Sequence, residues 1–166
     1  MSIGKIPDNI QKIDRDDALV TWLDTTPDST ATWALLGVGI TDYGIAFNAQ
    51  VDTEKWIIEK NARTDHSSNQ KQGDVTQKMY KNDPCYEFAK AGMDKLNYKT
   101  HILDVFATDK NGSSYAAKKS DGILVVTNYG GENAEIEYEL HYDGDPVEGT
   151  VTIANGVPTF TPSVSL

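Results

Sequence analysis

The stretch that decides the fold is residues 134–142, AEIEYELHY, in which apolar and polar side chains alternate from Glu135 onward without a break. The apolar members lie on one side of an extended chain, and they are Ile136, Tyr138, Leu140 and Tyr142. The polar members lie on the other side, and they are Glu135, Glu137, Glu139 and His141. Because successive side chains of a strand point to opposite faces, the pattern predicts a strand with one face in the core and one in water.

Turn signals on both sides of this strand predict an antiparallel sheet. Downstream, Asp143-Gly144-Asp145-Pro146 and Asn155-Gly156 predict turns that lead into strands at residues 147–153 and 157–160. Upstream, predicted strands are separated by Lys110-Asn111-Gly112 and Asp121-Gly122, and they cover residues 100–107, 114–118 and 123–129. Nearer the N-terminus, the pattern predicts a hairpin from residues 18–25 and 32–40 and a third strand at residues 53–60.

One helix is predicted within residues 78–96, KMYKNDPCYEFAKAGMDKL. Asp83 is suited to the N-cap and Pro84 to the first helical position, so the helix is predicted over about residues 84–97. Its apolar side chains recur at helical spacing and are expected to pack across the sheet: Phe88, Met93 and Leu96.

The chain of 166 residues is expected to form a single domain over residues 18–162. The predicted fold is mainly β, an antiparallel β-sandwich or barrel with one flanking α-helix. Residues 1–17 carry four isolated isoleucines among polar residues and are interpreted as an extended N-terminal arm that orders on a neighbour. Residues 61–74, NARTDHSSNQKQGD, have almost no apolar side chain and are interpreted as a long polar loop, either an interaction loop or a floppy insertion.

The composition indicates a folded, acidic protein. Twenty-five acidic residues against 15 basic ones leave a net charge of −10, which disfavours a conventional nucleic-acid-binding surface. The single Cys85 excludes an internal disulfide and, on the apolar stripe of the helix, is expected to be a small core residue rather than a reactive thiol. The N-terminal segment MSIGKIPDNIQK contains no apolar run of a signal peptide, so we expect the chain to fold in the cytoplasm.

The sequence contains no recognisable catalytic, cofactor or metal motif. The three histidines, His66, His101 and His141, are scattered without metal-ligand spacing, and no nucleophile elbow or phosphate-binding loop is present. The acidic side chains are better explained as solvated faces than as general acids and bases. We therefore predict a protein that is not an enzyme and has no cofactor.

The features of the chain follow an order that is more specific as a set than any one feature alone. A polar loop precedes Met79-Tyr80-Lys81-Asn82-Asp83-Pro84, which opens a helix containing Phe88. A β-rich half follows, with Gly130-Gly131, Ile136-Glu137-Tyr138 and GDPVEGTV at residues 144–151. This order, over roughly residues 18–160, resembles that of the major tail protein, or tail tube protein, of long-tailed (siphovirus-type) bacteriophages of Gram-positive bacteria.

The resemblance implies a structural virion protein that assembles in the host cytoplasm. Six copies would form a ring whose inner strands merge into one barrel, and the rings would stack into a tail tube that conducts double-stranded DNA during ejection without binding it specifically. Implied partners are further copies of the chain, a tape-measure protein, and tail terminator and distal tail proteins, with no membrane involved.

The resemblance also assigns roles to parts of this chain. The loop at residues 61–74 would bridge rings, and its candidate contact residues are Arg63, Asp65, His66, Asn69, Lys71 and Asp74. The acidic row of Glu135, Glu137 and Glu139 would face either the lumen or the outside of the tube, because a buried contact would leave three carboxylates unpaired.

Two other interpretations remain open. The chain could be another tail or baseplate subunit, or the inner tube of a contractile particle. In a different class, a carbohydrate-binding β-sandwich would use Trp22, Trp33 and Trp56 as stacking platforms, although their predicted strand positions favour burial.

Overall fold

A computed structural model describes residues 7–164 of the chain. Its helices are α1 (Arg15–Ala18) and α2 (Pro84–Ala91). Its strands are β1 (Val20–Asp24), β2 (Trp33–Leu35), β3 (Ile45–Ala46), β4 (Gln50–Glu54), β5 (Arg63–Ser68), β6 (Gln72–Lys78), β7 (Lys99–Asn111), β8 (Ser114–Gly130), β9 (Glu135–Ala154) and β10 (Val157–Pro162). The prediction of a mainly β, antiparallel fold with a small flanking helix is confirmed.

Eight of the strands form one antiparallel sheet in the order β2-β1-β7-β8-β9-β6-β3, with β10 also paired to β9. β9 pairs with β8 along one side, and with β6 and then β10 along the other. β4 and β5 form a separate two-stranded sheet. We call the part of the sheet in which residues 135–141 of β9 pair with β6 the upper half, and the part in which residues 149–154 of β9 pair with β10 the lower half.

β8 and β9 are continuous over 17 and 20 residues, so the turns predicted at Asp121-Gly122 and at residues 143–146 are wrong. At these positions the register shifts instead, because Asp121 lies opposite Asp143 while Lys119 lies opposite Val147. Such a bulge bends a strand without reversing it. A Cβ on Gly122 would lie 2.7 Å from Cδ1 of Ile102, so glycine is needed there for close packing, not for a turn.

Two apolar clusters lie on opposite faces of the sheet. Trp22 and Leu23 are neighbours on β1 and belong to different clusters, as do Ile102 and Leu103 on β7. The first cluster joins the upper half of the sheet to α2 through Phe88 and other buried residues. The second cluster lies among β1, β7 and the lower half of β8, β9 and β10. β1 and β7 are thus buried on both faces, as in a sandwich.

The predicted helix start is confirmed. Asp83 accepts a hydrogen bond from the backbone N–H of Tyr86 at 3.0 Å, and Pro84 occupies the first turn. Phe88 is buried as expected, and Cys85 is fully buried as a core residue.

The predicted helix end at residue 97 is wrong, because α2 ends at Ala91. Phe88 stacks on Tyr98 with ring centroids 4.7 Å apart, and the chain reverses after Gly92 to bring Tyr98 back. A Cβ on Gly92 would lie 2.2 Å from that ring. Tyr98 therefore takes the packing position assigned to Leu96, which is 93% exposed, while Met93 is 36% exposed.

The predicted polar loop at residues 61–74 is also wrong, because this segment forms β5 and the start of β6. Its ordering comes from backbone pairing with β4 and β9, not from apolar burial. The strand predicted at residues 53–60 ends at Glu54. Residues 46–72 thus form a long hairpin in which every residue of β4 and β5 is exposed.

The proposed N-terminal arm is described only from Pro7 onward, and residues 1–6 lie outside the described residues. Ile10 and Ile13 are exposed, and the helix of this segment within the described residues is the short α1 at Arg15–Ala18. Arg15 donates a hydrogen bond to the carbonyl of Thr41 at 3.0 Å.

Candidate assembly surfaces

The acidic row lies on the face of the sheet that is turned away from α2. Glu135, Glu137 and Glu139 are partly exposed on β9 and alternate with buried apolar residues, as the sequence predicts. Those buried residues share a cluster with Phe88 and Ala89 of α2. Because alternate side chains point to opposite faces, the three glutamates lie on the other side of the sheet.

One neighbouring strand, β6, extends this acidic face. In the pairing with β6, Asp74 lies opposite Glu139 and Lys78 lies opposite Glu135. His141 Nε2 is 2.8 Å from Oε2 of Glu139, along the same strand. The face therefore carries four carboxylates from two adjacent strands, with Lys78 and His141 at its ends. Like charges in such a row are tolerated where water remains in contact with them.

The six candidate contact residues do not lie in one loop. Arg63 is near the outer end of the hairpin, where its guanidinium pairs with Glu59 and lies 4.0 Å from the ring centroid of Trp56. His66 Nε2 is 2.7 Å from Oδ1 of Asn69 near the base. The remaining three are Asp65 on β5, Lys71 over the ring of Tyr142 at 5.1 Å, and Asp74 on the acidic face.

An apolar tip, defined as Trp56, Ile57 and Ile58, closes the outer end of the hairpin. Ile57 is fully exposed and Ile58 is 86% exposed, while Trp56 is about half exposed. Sequence reasoning assigned these residues to a strand and missed the tip. The available signal was the run of three apolar residues, which cannot all face the same side of a strand.

An open groove of about 600 Å³ lies beside α2. The turn at residues 25–29 forms one wall, and residues 95–99 form the other, with Phe88 among the lining residues. Leu96 on this wall is almost fully exposed. We call this feature the α2 groove.

The turn in the groove wall is held by a buried carboxylate. Asp24 is fully buried, and its Oδ1 accepts hydrogen bonds from the backbone N–H groups of Thr26 at 3.0 Å and Thr32 at 3.1 Å. Its Oδ2 lies 2.8 Å from Nδ1 of His101. In the connection between β1 and β2, the Asp24 carboxylate therefore serves as the hydrogen-bond acceptor that a backbone carbonyl would otherwise provide.

A second buried carboxylate connects three parts of the fold. Asp104 accepts hydrogen bonds from the hydroxyls of Thr21 at 2.8 Å and Tyr142 at 3.0 Å, and the Tyr142 hydroxyl is 3.0 Å from that of Tyr43. Burial raises the pKa of Asp104, although the two hydroxyl donors oppose this rise. Burial also raises the pKa of both tyrosines far above the ordinary value. These groups are enclosed, so we interpret them as a structural network.

The other residues singled out in the sequence are separated. Trp22 is buried, Trp33 packs at the edge of the second apolar cluster, and Trp56 is at the hairpin tip. His66 lies on the hairpin and His101 and His141 lie on different strands, so no three-tryptophan platform or three-histidine site is formed within residues 7–164. Among these residues, no group of three or more His, Cys, Asp or Glu side chains has an arrangement suited to a metal ion.

Comparison of the sequence with models of known protein families and with curated proteins found no match. Within residues 7–164, the structure has no helix with the length and apolar character needed to span a bilayer. The class defined by the fold is a mainly β protein with one antiparallel eight-stranded sheet, a small helix and a projecting hairpin.

Proposed function

We propose that this protein is a structural subunit of a bacteriophage tail tube, which self-associates into hexameric rings that stack into a conduit for double-stranded DNA. The observation that carries the proposal is the acidic face, which stays uncovered while α2 closes the opposite face of the same sheet. A sheet with one packed face and one charged, wet face is suited to form the wall of a water-filled channel. The order of sequence features that resembles tail tube proteins adds to this support.

The margins of the lower half of the sheet offer a route to lateral assembly. Within residues 7–164, β10 pairs with β9 and with no other strand. On the side of β7 that faces away from β8, β1 pairs with β7 up to Val105, and no strand of the same part of the chain pairs with residues 106–111. These two unpaired margins lie at opposite sides of the four strands β7, β8, β9 and β10. If the β10 margin of one copy pairs with the β7 margin of the next, the contact is heterologous. Heterologous contacts close into a ring when the rotation from one copy to the next divides a full turn evenly.

The outer margin of β10 carries few hydrogen-bond donors. Ser163 donates its N–H to Glu148 on β9, so residues 158, 160 and 162 direct their backbone groups outward. Two of these are Pro158 and Pro162, which have no N–H. Prolines at an edge limit indiscriminate strand pairing, which favours a soluble free subunit that joins only a matching partner.

The acidic face then acts as the lumen wall in this proposal. Duplex DNA carries a dense row of phosphates, and carboxylates on the wall would keep them from adsorbing. At physiological salt this repulsion extends only about 8 Å from the wall, so it prevents sticking without blocking passage.

The test is negative-stain microscopy of the purified chain at increasing concentration, where rings or tubes are expected. A persistent monomer under all conditions would refute the proposal. For the lumen, a variant with Glu135, Glu137 and Glu139 each changed to Gln should still form tubes but should retain DNA fragments at low salt. A matched control changes Asp14, Asp16 and Asp17 to Asn, which removes the same charge from the α1 region and should leave DNA retention unchanged.

The carbohydrate-binding alternative has less support. Trp56 is the most exposed of the three tryptophans, but Arg63 covers one face of its ring. Trp22 is buried and not accessible to a sugar.

A further inference from the structure

The short helix α1 lies beside one of the two strand margins that take part in the proposed lateral assembly. It contacts β7, and it comes directly before β1 in the chain. We propose that α1 is a displaceable cap, which covers the β7 margin in the free subunit and leaves it when the β10 margin of another copy pairs there. This inference rests on the proposed function, because it names what regulates the same margin.

The register of β1 shows where α1 lies along β7. β1 runs antiparallel to β7 with Val20 opposite Val105, so the residues before Val20 come beside the residues after Val105. An incoming strand must approach to about 4.8 Å from its neighbour, whereas a helix is about 10 Å across. The same stretch of the β7 margin therefore cannot hold both α1 and a strand of a second copy.

The part of the margin beside α1 lacks the side chains that protect a sheet edge. Residues 106–108, Phe-Ala-Thr, include neither a proline nor a charge, whereas Asp109 and Lys110 follow them. The register with β8 shifts between Phe106 and Lys110, so residues 107–109 pair with no strand of the described part of the chain. A helix laid over an edge is one of the devices that prevent unwanted pairing. α1 therefore lies where the margin most needs a cover.

α1 is held weakly, as a displaceable cap must be. It has four residues, none of them buried, and Asp14 makes no side-chain capping hydrogen bond at its start. A helix this short is not stable by itself, because few hydrogen bonds offset the cost of nucleation. Arg15 ties it to the rest of the fold, since Nη1 donates to the carbonyl oxygen of Thr41 at 3.0 Å in an exposed position. Water can replace this bond, so α1 can detach without opening the sheet.

The concentration needed for assembly, measured by light scattering, tests the cap. Arg15→Ala removes the tie to Thr41 and should lower that concentration at least threefold. The matched control Lys12→Ala removes the same charge from an exposed position just before α1 and should change it less than 1.5-fold. Both variants change the net charge from −10 to −11, so the added repulsion between copies is equal.

Circular dichroism melting curves establish that both variants fold. A folded Arg15→Ala chain that needs the same concentration as Lys12→Ala, or a higher one, would overturn the inference.

A distance measurement follows α1 itself. Nitroxide labels are attached to Asp16→Cys on α1 and to Ser113→Cys in the exposed turn between β7 and β8. The natural Cys85 stays unlabelled, because it is buried and burial raises its pKa to about 12. Dilution with unlabelled chain restricts the measurement, made by double electron–electron resonance, to pairs within one copy. We expect a longer and broader distance distribution in the assembly than in the free subunit, and an unchanged distribution would contradict the cap.

The outcomes separate the cap from the proposed function. If the unmodified chain does not assemble at any concentration, the proposed function fails and the cap fails with it. If the chain assembles while Arg15→Ala behaves as Lys12→Ala does and the label distance is unchanged, only the cap fails. If Arg15→Ala assembles more readily but residues 106–111 gain no protection from hydrogen exchange, α1 guards a different surface and the inference is overturned.

Discussion

Replacing Asp24 with Ala should destabilise the fold more than any surface change of equal size. The carboxylate is fully buried, and its removal leaves the backbone N–H groups of Thr26 and Thr32 and the Nδ1 of His101 without their partner. An unsatisfied buried donor costs about 1–3 kcal/mol, but Thr26 is partly exposed and Thr32 is exposed, so water compensates part of the loss. We expect the free energy of unfolding to fall by about 3 kcal/mol.

The matched variant is Asp24→Asn, which keeps an oxygen for the two backbone N–H groups and removes only the charge. Because charge-assisted hydrogen bonds are about 1 kcal/mol stronger than neutral ones, this variant should lose about 1 kcal/mol. Urea unfolding followed by circular dichroism measures both values. In thermal melts, the Asp24→Ala loss corresponds to a decrease of roughly 6–12 °C for a domain of this size.

Two results would refute this explanation. A loss below about 1 kcal/mol for Asp24→Ala would show that water or a shifted turn replaces the carboxylate completely. Equal losses for the two variants would show that the charge, and not the oxygen acceptor for the turn, is what matters.

Three further predictions concern the core. Gly92→Ala should destabilise by about 1–3 kcal/mol in urea unfolding because its Cβ would meet the Tyr98 ring, whereas Gly44→Ala, where a Cβ meets nothing within 4 Å, should be nearly neutral. Burial raises the pKa of Asp104 above its ordinary 3.8, so the folded state binds the carboxyl proton more tightly than the unfolded state does. The stability contributed by this proton is present below the unfolded pKa and is lost as the pH rises through the folded pKa. The stability of Asp104→Asn relative to the natural chain should therefore increase from pH 4 to 7, and a difference that does not change with pH would contradict this prediction. Cys85, with a pKa raised to about 12, should react with a thiol reagent at pH 8 only after unfolding, and rapid labelling of the folded protein would contradict its burial.

Sequence patterns predicted the elements whose causes are local. The alternation at Glu135 to Tyr142 places the glutamates and the core residues on the correct faces. The helix start follows from Asp83 and Pro84, whose capping and fixed backbone angle act within one turn. The acidic face was therefore visible in the sequence as a row, although which strands extend it was not.

Errors arose where a residue has its effect through a distant partner. Gly122 signals a turn in isolation, but it lies inside β8 because Ile102 of a neighbouring strand fills the space of its missing side chain. Residues 61–74 have almost no apolar side chain, which predicts a long polar loop, but backbone pairing with β4 and β9 orders them as strands. Burial of Gln77 illustrates the same effect, since the Tyr138 hydroxyl donates to its oxygen at 2.8 Å and its amide donates to Asp83 at 2.6 Å.

By itself the sequence determined that this is an acidic, antiparallel β protein with one capped helix, because side-chain periodicity and capping depend on residues only a few positions apart. Only the tertiary structure decided that β8 and β9 run without interruption, that α2 ends at Ala91, and that the apolar tip of the hairpin remains uncovered. The physical reason is that bulges, helix ends and exposed patches depend on which distant side chains meet, and tertiary packing can override the local preference of a turn residue or a helix former.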